Sequence, residues 1–129
     1  MKPATFFAVL PLAVLAACAQ MIPHEAVQNA NIRKAVQNAR TRSDHDELTR
    51  YFEGAAKQMR TKAEEQKKLL DHYEEKSYLY GRQAQDLKSH TWALARKYEE
   101  TAEAYIKEAA AHRQMAAEAV QHNYAARNE

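Results

Sequence analysis

No proline follows Pro23, and Gly54 and Gly81 are the only glycines in the 129-residue chain. Beyond residue 23, every backbone N–H is therefore available for a helical ladder, and only two positions relax it. The residues filling that stretch are largely Ala, Glu, Lys, Gln and Arg, which lose little side-chain freedom in a helix. A chain of this kind is expected to be all-α. Its length allows one domain, its mean hydropathy of -0.74 argues against a multi-span membrane protein, and a net charge of +2 gives no reason to expect a nucleic-acid partner.

The apolar residues give the helices a phase. Ser43-Asp44-His45-Asp46-Glu47 offers an N-cap hydroxyl followed by acids, suited to a helix N-terminus. From there apolar or small side chains, with one Gln, fall at 48, 52, 55, 59, 63, 66, 70 and 73. This spacing predicts a helix over residues 43–76, and the recurrence of Leu48, Met59 and Leu70 suggests an eleven-residue period with almost straight packing. Around Gly81 the pattern breaks. A second stripe follows (Leu94, Tyr98, Thr101, Tyr105, Ala109, His112, Ala116 and Val120), predicting a helix that starts between residues 82 and 90 and ends near 121. A shift of 46 residues superposes the two stripes, laying Leu48 on Leu94 and Phe52 on Tyr98.

A connection this short implies a long antiparallel helical hairpin of two related helices over residues 43–122, with a tail at 123–129. Bending at Gly81 sets Phe52 opposite His112, Met59 opposite Tyr105 and Leu70 opposite Leu94. One narrow seam rarely offsets the ~1–2 kcal/mol of backbone entropy lost per ordered residue. The hairpin is thus expected to recruit a short N-terminal helix or to dimerise into a four-helix bundle. The dimer is favoured, because residues 25–42, with the tandem AVQNA of 26–30 and 35–39, are poor in large apolar groups and read as a basic spacer.

The first residues have a different character. Lys2 precedes an uncharged apolar run from Ala4 to Leu15, whose twelve residues would span ~18 Å as a helix, short of a ~30 Å hydrocarbon core. The run closes on Leu15-Ala16-Ala17-Cys18, which holds the chain's single cysteine. This resembles the signal peptide and lipobox of bacterial lipoprotein precursors. The resemblance implies that residues 1–17 are cleaved, that Leu15, Ala16 and Ala17 are the recognition positions, and that Cys18 receives diacylglycerol and a fatty acyl chain. It further implies a lipidated tether beginning at Cys18, and Ala19 resembles the outer-membrane-destined class. The expected location is the cell envelope, at the outer membrane facing the periplasm, with no cofactor beyond the covalent lipid.

Candidate chemistry in the remainder is sparse. His45, His112 and Met115, or His72 with His90, are the side chains for a copper or zinc module, although HxxxH, HExxH and a second cysteine are all missing from the sequence. The carboxylates alternate with Lys and Arg, and neither a glycine-rich phosphate loop nor a recognisable nucleophile set occurs, so no enzyme is expected. Tyr78, Leu79 and Tyr80 at the bend, with Trp92 off the stripe, are candidates for contact with a protein partner or for self-association. The leading expectation is a membrane-anchored lipoprotein whose hairpin serves structural or protein-interaction roles; a periplasmic metal-binding module is the alternative.

Overall fold

A computed structural model describes residues 30–127 of the chain. Three α-helices and two short 3-10 turns account for almost all of them: α1, Ala30–Asn38; α2, Arg42–Glu75; turns at Ser77–Leu79 and Gly81–Gln83; and α3, Ala84–Arg127. The fold is all-α, a long antiparallel hairpin of α2 and α3 carrying a short N-terminal helix. Cys18, Leu15, Ala16, Ala17 and the proposed tether up to residue 29 lie outside the described residues.

Two boundaries differ from the sequence reading. Helix α2 is capped by Thr41, not Ser43: the Thr41 hydroxyl accepts from the Asp44 N–H at 3.1 Å, while the Asp44 carboxylate accepts from the Arg40 and Thr41 N–H groups at 2.9 and 2.8 Å. The same hydroxyl–acid spacing occurs two residues earlier than expected, and there it closes a reciprocal capping box. Helix α3 runs on through Arg127, so most of the expected tail at 123–129 is helical. Its last turns hold no Gly or Pro that would stop it.

The seam has a seven-residue period. On α2 the buried positions 45, 49, 52, 56, 59 and 63 alternate steps of four and three, and on α3 the series 91, 95, 98, 102, 105, 109, 112 and 116 does the same, with Tyr98 half-buried. This corrects the eleven-residue period read from Leu48, Met59 and Leu70, and it is the pattern of a left-handed, coiled-coil-like pairing. Shifting the α2 seam by 46 residues reproduces the α3 seam, so the superposition seen between the sequence stripes holds for the buried positions as well.

Phe52 and Tyr105 fill the centre of the core at 2% and 1% exposure, ringed by Leu48, Ala56, Met59, Ala102 and Ala109. Phe52 stacks on His112, as the Gly81-centred register requires, and also packs against Tyr105 at 6.1 Å, so the helices meet about half a turn from the simplest pairing. Ion pairs of Lys67 with Glu99, at 2.6 Å, and of Arg113 with Glu53 flank one side of the seam.

Helix α1 covers the other side. Ala39 joins the core cluster and Ile32 packs on it beside Tyr51 and Ala55. Leu48, which flanks the seven-residue series, is buried at 4% beneath this layer. Residues 30–38 are thus a helix, largely exposed but touching the core through Ile32, in place of the spacer anticipated from their small side chains. At the opposite end Gly81 adopts φ 53°, the left-handed conformation that glycine accepts without a Cβ clash.

Candidate functional site

Two places concentrate side chains with chemical potential: the bend, called the tip below, and the open end of the hairpin where α1 packs.

At the tip the four predicted contact residues part company. Tyr80 folds back on α2: its hydroxyl lies 3.0 Å from the His72 Nε2, and its ring meets Tyr73 edge-on at 5.0 Å. It closes the end of the hairpin. Tyr78 and Leu79 sit in the first 3-10 turn with 76% and 62% of their surface exposed. Trp92, about two turns into α3 and 52% exposed, carries the Arg96 guanidinium 5.1 Å above its ring. It borders a groove of about 420 Å³ with Leu70, Glu74, Lys88 and Ala93. An exposed aromatic beside an apolar groove is the type of surface that protein interfaces use for anchoring.

At the open end His45 and His112 meet edge to edge across the seam, Nδ1 to Nδ1 at 3.0 Å, with ring centroids 5.3 Å apart and planes 28° apart. The His112 ring also lies against Phe52, parallel to within 3° at 5.7 Å. Thr49, one turn after His45, donates its hydroxyl to the His45 carbonyl at 2.8 Å. Burial, then the neighbouring His45, hold the His112 imidazole below its ordinary pKa, against an opposite pull from Glu108. His45 and Thr49 escaped the sequence stripe because both are polar; the steps 45–49–52–56–59–63 would have found them.

The candidate metal ligands are only partly gathered. His45 and His112 come together, whereas Met115 points outward and is exposed. His72 is engaged with Tyr80, and His90 lies exposed on α3. Among the described residues no three His, Cys, Asp or Glu side chains converge where they could hold a metal ion. The two facing Nδ1 atoms are already each other's hydrogen-bond partners, and the third ligand anticipated at Met115 is turned away.

No family model, curated protein or solved structure is significantly similar to the chain. Among the described residues, no helix is long and apolar enough to cross a membrane.

Proposed function

We propose that the chain is a bacterial lipoprotein in which acylated Cys18 tethers a helical hairpin at the cell envelope, and that the hairpin acts through protein contacts without catalysing a reaction. The observation that carries this reading is the coincidence of Lys2, the uncharged run Ala4–Leu15 and the box Leu15-Ala16-Ala17-Cys18. A single acyl chain anchors marginally, but two or three, at ~0.8 kcal/mol per buried CH₂, hold a protein of this size durably. Ala19 favours the outer membrane, facing the periplasm, over retention at the inner membrane.

The helical body suits this role. Helix α2, at 34 residues, projects about 50 Å at ~1.5 Å per residue. It sets Tyr78 and Leu79 at the end remote from α1, where Trp92 of α3 also lies, and the chain leads from α1 back towards Cys18. The exposed tip is the surface we assign to a partner.

Intact mass of the protein extracted from bacterial membranes tests the anchor. Loss of residues 1–17 with added acyl mass on the N-terminal peptide is expected, and Cys18→Ser should remain unprocessed. A mature chain with an unmodified thiol at Cys18 would refute the lipid reading. Photocrosslinking from Tyr78 and Trp92 in the envelope tests the contact surface, with Glu118 as the control position: adducts confined to the tip support it, and equal yields at both ends count against it.

A further inference from the structure

The proposed envelope role makes no use of the buried pair His45–His112, which couples the first turns of α2 to α3 beneath α1. We infer that this pair is an acid-sensitive latch: it holds the open end of the hairpin closed while it carries at most one extra proton, and releases that end when it takes a second.

The proton inventory follows from the geometry. With both rings neutral, one Nδ1–H donates to the lone pair of the other Nδ1 across 3.0 Å. A first proton adds to the Nε2 of the donor ring. The Nδ1–H···Nδ1 bond survives and becomes charge-assisted. A second proton has only the accepting Nδ1 to occupy. Two N–H groups, each on an imidazolium, then face one another at hydrogen-bond distance, and the pair must separate. Phe52, stacked on His112, offers no polar atom to either ring. No buried side-chain nitrogen or oxygen among the described residues lacks a partner while the pair is intact, so separation also strands what it now satisfies.

The surroundings do little to neutralise a second charge. On α2, Asp44 attracts a charged His45 only as the smallest of the influences on its carboxylate, which is spent on the N-cap; Asp46 pairs with Arg42 at 3.4 Å, and Glu53 with Arg113 of α3. On α3, Glu108 favours the proton on His112, but burial and His45 act the other way. Helix α1 brings no acid within Ala30–Asn38, and Arg40 beyond it caps the Gln37 and Ala39 carbonyls.

The position of the pair makes its release consequential. His45 is the residue whose N–H closes the first α2 turn onto the Thr41 carbonyl, and its own carbonyl is held by Thr49. Parting His45 from His112 loosens that turn, the seat of Ala39 and hence α1. The tip half, joined through Ala63, Ala95, Leu70 and Tyr80, contains no such pair and stays closed.

Hydrogen exchange of the full chain at about pH 7.5 and about pH 5, normalised to the intrinsic rate at each pH, tests the latch. The segments 42–52 and 105–116 should exchange at least about tenfold faster in acid, with 59–70 and 91–102 unchanged. In His45→Leu/His112→Leu the difference between the two pH values should vanish. In His45→Asn, whose amide still donates to His112 but takes no proton, it should shrink. An acid-insensitive open end, equal acceleration of both halves, or a full response in either folded variant would overturn the proposal. If neither variant folds, the comparison of the two halves in the unaltered chain still decides it.

Discussion

The open end and the tip are built from the same two helices in the same seven-residue register, yet they are stabilised differently. At the open end three elements meet: Phe52, Tyr105, Met59 and Leu48 are buried, and α1 covers the flank through Ile32 and Ala39. Towards the tip α2 has no buried residue beyond Ala63; Gln66, Leu70 and Tyr73 are half-exposed, and α3 presents the small Ala84, Thr91 and Ala95. The contrast shows what a third helix contributes. A two-helix seam alone leaves the flanks of its core positions wet, and here Ile32 of α1 and Ala39 just beyond it cover part of one of them.

Truncation at the two ends should therefore cost unequal amounts. Phe52→Ala removes a ring touching Tyr105, His112 and Tyr51, and should lower unfolding stability by about 3–5 kcal/mol in a denaturant titration. Leu70→Ala, half-exposed in the tip half, should cost less than half of that; equal losses would show the tip to be as well packed as the open end.

Acid should sharpen the contrast. The folded-state pKa of His112 lies below its ordinary value, so the unfolded chain binds its proton first. That contribution is complete above about pH 6.5, the ordinary histidine value, and is lost progressively as pH falls below it. Chemical denaturation in steps from neutral pH to about pH 5 should show falling stability, with a smaller slope in His112→Leu. An equal slope in the variant would remove His112 from the account.

A smaller effect belongs to the junction with α1. Thr41→Ala deletes the side-chain cap of α2 and should cost about 1 kcal/mol, with exchange accelerated at residues 42–46 and not at the tip. The smallest belongs to the exposed tip. Tyr78→Ala and Trp92→Ala should change stability by no more than about 0.5 kcal/mol while reducing crosslinking to an envelope partner. A large stability loss in either would mean that these rings serve the fold.

Helix content and the bend were readable from local chemistry. With proline confined to the first 23 residues and glycine to two positions, the chain could do little except form long helices, and Gly81 was the position able to take a positive φ. The facing of Phe52 and His112 followed from that bend and the stripe phase. The period was not readable, because Leu48 was counted as a seam residue. It is buried by α1, a contact that the spacing of α2 alone does not reveal. The aromatic candidates illustrate the same limit: Tyr78 and Tyr80 are two residues apart in one turn, yet one lies in solvent and the other closes onto His72.

The sequence by itself determined an all-α hairpin with its bend at Gly81, since backbone hydrogen bonding and side-chain periodicity are local properties. Only the tertiary structure decided that residues 30–38 form a third layer, that His45 and His112 share a hydrogen bond, and that Met115 turns away from them. Those outcomes depend on which faces of separate helices meet and in what register. That is set by packing Phe52 and Tyr105 against each other across the seam, between residues more than fifty positions apart in the chain.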